Sequence, residues 1–551
     1  MPDYDCDVVV IGAGQGGGVI ARALTEAGLQ VTLLEKGPAG HRQEETRLDE
    51  TLTDPVARRL RAFWPDRARM MIDGRKVEIY PPIGSGVGGS SVFYAATLER
   101  PARHDIDDLP DRPHPTGGWP VSWAELAPYF DRAQAQFHLH GTPDPLDDRP
   151  VPALLPPVVA MPSGEAALME HLRGNGLHPY HLHSALAHLE GCRSCIGRKC
   201  PRPCKMDGRA AGVEPALATG RLRLETEAEV TEIALDGTCA GAVLYRQNGR
   251  MHRLRGRHVV LAAGALSSPR LLLASRGAGY EAGIGNGHDQ IGRHLMFHLN
   301  ELFALWPKRS EALGGASKSI GFRDLYHVEG QRFGMVQALG VEVGYYTILH
   351  VLRMRLAEAG LRGRLWREGA RLPAMIAAKM MGEAKLFVGL MEDLPVPENR
   401  IRLDPADPSR ICLDYTTAPE ALVRRKRFRR LIAKACKGRR VMFLSDRPEP
   451  NLGHGCGTLR MGHDPRTSAT DAQGRIHGVE NLWVSDASTF PTSMGVNPSL
   501  TIAALALRQA EMLVAQLKAE GAQGMNAGDT PDTRLANGQN AMRHIQSEAL
   551  S

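Results

Sequence analysis

At 551 residues, 43% of them hydrophobic, the chain is long for one core, so two closely connected domains with room for a buried cofactor are expected. The formal charge of +6 is small for this length, and the arginines are scattered rather than grouped with aromatics, which argues against a nucleic-acid partner. No basic-then-apolar leader precedes the first strand-like run, and no stretch of about twenty apolar residues suggests a bilayer span, so a cytoplasmic protein without a transmembrane segment is expected.

The first elements carry the strongest signal. The run VVVIGAGQGGG, starting at Val8, sets a GxGxxG turn directly behind β-branched residues, and VTLLEKG follows with Glu35 closing a second strand-like run. Gly12 permits the tight turn, Gly14 lets backbone approach a pyrophosphate, and Gly17 lets the following helix pack closely while its N-terminus faces the phosphates. Glu35 is placed to accept hydrogen bonds from ribose hydroxyls. Strand, turn, helix, strand and acid in register point to a dinucleotide diphosphate.

Residues 40–80 are polar and arginine-rich and are expected to leave this sheet and wrap over the cofactor. They lead into PPIGSGVGGSS, where Gly88, Gly89 and Ser90 would let backbone pass close to a ligand. Ser122, with Glu125 three residues later, reads as a capping box opening a helix. Residues 141–162 read as a proline-rich surface connection.

Nine cysteines in so long a chain do not form a disulfide framework, but Cys192, Cys195, Cys200 and Cys204 cluster within GCRSCIGRKCPRPCKMDG. A CxxC pair can place two thiolates on one centre and a later pair can close around it, so an iron–sulfur cluster, zinc and plain reduced cysteines in a basic loop all stay open.

Alternating apolar and polar residues from 222 to 261 predict strands feeding back to the first sheet, and VVLAAGA followed by SSPRLLLAS predicts a strand and then a helix. Residues 295–445 differ in character, mixing extended segments with a Leu/Met/Ala-rich helical portion over 352–381. That portion is expected to be ordinary core packing, with an amphipathic patch touching a membrane as the alternative. The basic run 424–430 reads as a solvated helix face. The tail after 521 is polar and loosely ordered, with room for a short final helix.

Near the C-terminus, NLGHGCGTLRMG is followed by NLWVSDASTFPTSMGVNPSLTIAALALRQAE. Together with the glycine turn, the GSGVGGSS segment and VVLAAGALSSPRLLLAS followed by IGRHLMFH, this resembles the glucose-methanol-choline oxidoreductase family across most of residues 5–515. The resemblance implies an α/β fold: a Rossmann-like FAD-binding domain interleaved with a substrate-binding domain built on a sheet with covering helices. The expected division is 1–294 for the FAD domain with its flavin-covering and cysteine-rich insertions, 295–445 for the substrate domain, 446–520 for the return to the FAD domain, and 521–551 for the tail.

The resemblance also implies the site. His454 takes the catalytic position and Asn497 its partner position; Asp486 stands beside the flavin, and Gly495 and Val496 contact its ring. Ser91-Val92-Phe93-Tyr94 stand where covalently linked relatives carry histidine, which implies noncovalent FAD. The cysteine segment is similar to that of sugar dehydrogenases carrying a three-iron cluster, and also to relatives carrying none.

The chemistry is consistent with these residue types. Oxidising an alcohol requires its hydroxyl proton to leave to a base such as histidine while the carbon-bound hydrogen leaves as hydride. The expected partners are a small-molecule alcohol, first a sugar or glycoside, and an electron acceptor or redox protein. Oxidase and dehydrogenase stay open, as do a flavin-bound lyase or isomerase of the same fold and a flavin-bearing electron-transfer or interaction protein.

Overall fold

The computed structural model describes residues 4–551 except 41–53, 148–152, 191, 193–194, 309–310, 312–316, 342–343, 362 and 529–551. The expected cofactor domain is built on a five-stranded parallel sheet in the order 482–484, 256–261, 6–11, 31–34 and 222–225. Its central strand, Cys6–Ile11, is apolar at nearly every position because both faces are covered, as a parallel sheet requires. One cover is the helix Gln15–Glu26; the long C-terminal helix Ser499–Gly528 packs against it.

That C-terminal helix amends one expectation. Its Ser499–Glu520 portion is long and apolar enough to cross a membrane by length and composition, but 67% of its apolar window is buried inside the protein. Ala503, Ala504, Leu507 and Leu513 belong to the main core.

The second sheet is antiparallel along its length, ordered 441–443, 299–305, 385–391, 336–338, 320–322 and 180–181, with 449–450 also paired to 299–305. It therefore draws strands from both sides of the expected 295–445 interval. A further sheet joins strands 68–72 and 75–79 to strands 400–402 and 412–415, so the segment that leaves the first sheet after residue 40 ties the two parts together. Of the alternating run 222–261, only the first and last strands enter the nucleotide sheet; residues 229–254 form a separate three-stranded sheet.

Ser122 caps the helix Trp123–Gln136 as expected, accepting a hydrogen bond from Glu125 N at 3.2 Å. The Glu125 carboxylate completes no capping box: it accepts from Arg508 on the C-terminal helix instead. The basic run 424–430 is a solvated face only in part, with Lys426 and Arg430 exposed. Arg424 and Arg425 are buried on the helix Pro419–Ala435, and Arg425 and Arg429 both reach the buried Glu301 carboxylate, at 2.6 and 2.8 Å. A carboxylate pointing into the domain needs such partners, because an unpaired buried charge is strongly unfavourable.

The Leu/Met/Ala-rich portion forms three helices, Tyr345–Glu358, Arg364–Gly369 and Arg371–Met381, inserted between neighbouring strands of the second sheet. They share a small core of Leu349, Ala370 and Ala374. Contrary to ordinary packing, most of their large apolar side chains face outward. Each such side chain left in water forgoes roughly 1.5–3 kcal/mol of burial free energy.

Candidate active site

The glycine turn is shaped by close backbone approach. A Cβ at Gly17 would fall 1.9 Å from the Gly12 carbonyl oxygen, so the helix can start this near the strand only with glycine there. A Cβ at Gly14 would meet nothing within 4 Å, because this residue faces a cavity. Gly14 supplies no side-chain cap, leaving the first-turn N–H groups of a twelve-residue helix available to an anion.

Glu35 closes the neighbouring strand with its carboxylate buried at the cavity wall. Its two oxygens accept from Ala13 N at 2.9 Å and Gly37 N at 2.8 Å. Burial raises its pKa, while these hydrogen bonds oppose the shift. Each oxygen keeps a further lone pair for a ligand hydroxyl.

The segment carrying Gly88, Gly89 and Ser90 lies across this turn. Gly88 N donates to Ala13 O at 2.8 Å, and a Cβ on Gly89 would sit 2.8 Å from Gly14 Cα. One cavity of about 420 Å³ runs from this turn past Gly89, Ser90, Phe93 and Tyr94 to His454 and Asn497. Uncapped helix N-terminus, acid and glycine-lined wall fit an adenine dinucleotide.

At the other end, Leu295–His298 runs antiparallel to the strand-like segment around Cys456, with paired Met296–Cys456 backbone bonds of 3.0 Å in both directions. This pairing sets His298 against His454: their Nδ1 atoms are 2.8 Å apart with the rings nearly perpendicular. On its far side His298 Nε2 is 3.0 Å from the Met494 carbonyl oxygen. Met494 itself sits in the left-handed region at φ 61°, turned so that its carbonyl meets the ring.

These contacts fix the protons. A carbonyl only accepts, so His298 Nε2 carries hydrogen. Burial drives the His298 pKa down to about 4, so the ring is neutral and its Nδ1 is an acceptor. His454 Nδ1 must therefore donate, which leaves its Nε2 as a lone pair. Burial also holds the His454 pKa well below 6.5, helped by the neighbouring His298 and by Lys318. Nothing local in the sequence marks His298, which ends the IGRHLMFH run.

The Asn497 side chain lines the same cavity, and its Oδ1 is buried without a hydrogen-bond partner among the described residues. Asp486 lines the cavity too, but its oxygens accept from Gly264 N, Ser268 Oγ, Ser488 N and Ser488 Oγ. It staples the turn after strand 256–261 to the C-terminal motif. Gly88, Gly495 and Val496 stand behind the wall. Gly495 is tied to the substrate domain through Tyr326 Oη and Met335 N, each at 2.9 Å.

The four cysteines lie close together as two pairs. Cys192 Sγ lies 3.5 Å from Cys204 Sγ, while Cys195 pairs with Cys200. Among the described residues no three His, Cys, Asp or Glu side chains form a group that could hold a metal. The iron–sulfur expectation thus gains no support and no cluster is proposed. The loop instead backs the segment ending at Tyr94: Lys205, fully buried, donates to Tyr94 O at 3.3 Å and Cys195 O at 2.9 Å.

Family models described as GMC oxidoreductase match residues 9–300 and 395–506. The chain belongs to the GMC oxidoreductase family. Paromamine 6'-oxidase of Streptomyces fradiae is 28% identical over 93% of this chain and 92% of its own length. The fructose dehydrogenase large subunit of Gluconobacter japonicus is 25% identical over 93% and 98%. Among solved structures, pyridoxine 4-oxidase from Mesorbium loti superimposes with a TM-score of 0.60 at 20% identity, covering 92% of this chain and 99% of that one, a likeness of fold. As a GMC oxidoreductase the chain is an FAD-dependent oxidoreductase acting on CH–OH groups. One cavity joins the dinucleotide cradle to the histidine end.

Proposed function

We propose that this GMC oxidoreductase oxidises a CH–OH group of a sugar or glycoside, with His454 as the base and Asn497 holding the substrate oxygen. The histidine pair supports this reading most strongly, because it leaves one unprotonated nitrogen, His454 Nε2, at the cavity. The glycine turn, Glu35 and the Gly89–Ser90 wall would hold FAD, which would supply the hydride acceptor when bound.

In this mechanism the substrate hydroxyl donates to His454 Nε2 while the Asn497 amide fixes the oxygen in line. Proton transfer produces an imidazolium whose Nδ1–H still donates to His298 Nδ1. His298 is itself anchored by the Met494 carbonyl, so the base keeps one orientation through the transfer. The sugar assignment draws on the relatives named for paromamine and fructose. Noncovalent attachment draws on the Ser91–Tyr94 segment, which offers no histidine for a flavin bond; acid precipitation is expected to release free flavin into the supernatant.

The test is anaerobic mixing of the flavin-loaded protein with a panel of sugars, glycosides and simple alcohols. Bleaching of the flavin by a sugar or glycoside is expected. Turnover of an alcohol without bleaching would replace an oxidoreductase by a lyase or isomerase, and bleaching by simple alcohols alone would reject the substrate class.

The depressed His454 pKa gives the pH dependence its sign. Protonation removes the base, and a lowered pKa moves that loss to more acidic pH. Bleaching rates are therefore expected to stay flat from about pH 8 down past 6.5 and to fall only below it. An acid limb centred at or above 6.5 would show that His454 is not held neutral in this way.

A further inference from the structure

The three-helix excursion over residues 345–382 combines two features. The first is exposed apolar surface. Tyr346, Leu365, Leu372, Met375, Ile376 and Met380 are each more than half exposed, at 82, 79, 60, 55, 51 and 55%. On the last helix the exposed positions 372, 375, 376 and 380 follow the spacing of a single helical stripe, and Ala374 and Met381 take the inward side. An amphipathic helix that buries alanine and presents Leu, Met and Ile outward has its apolar face reserved for something outside the molecule.

The second is charge. Residues 345–382 hold six arginines and one lysine against two glutamates, a net +5 of the +6 carried by the whole chain. Arg355, Arg364 and Lys379 are exposed on the same three helices as the apolar side chains, and Trp366 is 44% exposed beside them. The base of the excursion is firmly held: Met381 packs with Ala304 and Ala384, and Trp306 Nε1 donates to Met381 O at 2.9 Å.

We propose that this excursion seats the enzyme on an anionic lipid surface, its apolar side chains entering the acyl boundary and its arginines and lysine meeting the headgroup phosphates. Interfacial helices bind by this combination of buried apolar area and attraction to anionic lipid. Charge complementarity selects lipid over a second copy of the chain, because a symmetric contact would bring two +5 surfaces together. The attachment is peripheral and independent of the reaction at His454, and it involves none of the cavity-lining residues.

The experiment is flotation of the full-length, flavin-loaded protein with vesicles of phosphatidylcholine alone or mixed with phosphatidylglycerol. Binding to the mixed vesicles is expected, with little to phosphatidylcholine and a decline as salt rises. The variant Leu372→Ser/Ile376→Ser/Trp366→Ser, which alters only exposed positions, is expected to lose roughly tenfold or more of that binding. It should keep wild-type flavin content and thermal unfolding. Absence of flotation with anionic vesicles overturns the proposal, as does equal flotation of the folded variant. Wild-type dimers in sedimentation that the variant dissolves, without vesicle binding, would assign the face to a second copy instead.

Discussion

Replacing His454 by alanine is expected to slow anaerobic flavin reduction by roughly 10²- to 10⁴-fold, the range that a positioned general base contributes. The size follows from what is removed. His454 Nε2 is the unprotonated nitrogen that the histidine pair leaves at the cavity, and the neighbouring His298, whose Nδ1 loses its partner in the variant, does not line that cavity and so is not placed to replace it. Flavin binding should survive, since the cradle formed by Gly14, Glu35 and Gly89 lies at the other end of the cavity. Stopped-flow bleaching together with flavin content measures both quantities. A variant that keeps its flavin and reduces it at the wild-type rate would remove His454 from the chemistry.

His298→Ala is expected to slow the same step by about 10- to 100-fold, the usual cost of losing the group that orients an active residue. Without the acceptor at His298 Nδ1, the His454 ring is free to rotate and to carry its proton on either nitrogen, so only a fraction of molecules presents a lone pair to substrate. In the proposed mechanism His298 positions His454, and a general loss of structure would also lower the rate. The pH profile separates the two. Losing a buried neutral neighbour opens the site to water and should raise the His454 pKa, moving the acid limb of bleaching toward 6.5. A slower variant with an unmoved limb would point to a structural effect alone.

The parts of this site that were legible in sequence are those whose function lies in a short stretch of chain. The glycine turn, Glu35 and the two C-terminal motifs declare themselves because turn geometry and spacing are local properties. His298 does not, since its partner is 156 positions away and the two meet only through antiparallel pairing of Met296 with Cys456. Gly495 and Val496 sit in a motif that reaches the cavity at Asn497, yet the backbone turns so that neither lines it, and Gly495 is tied to the substrate domain instead.

Tertiary context also decided the remaining differences. The cysteine spacing permits a shared centre, but the loop folds so that the thiols face one another in pairs. The arginines at 424 and 425 look solvated in sequence, and it is the buried Glu301 on a neighbouring strand that draws Arg425 inward. Helical periodicity over 371–381 shows that an apolar stripe exists. It cannot show whether that stripe faces the core or the solvent, and here it faces out.

The central claim, that a CH–OH group is oxidised with His454 taking its proton, is tested most directly by a single anaerobic turnover. Flavin-loaded wild type and His454→Ala would each be mixed with a bleaching substrate, and carbonyl product and reduced flavin counted in the same sample. The expected result is equal amounts of both in wild type, with neither in the variant on that time scale. Carbonyl formed without flavin reduction, or equal yields from the two proteins, would contradict it.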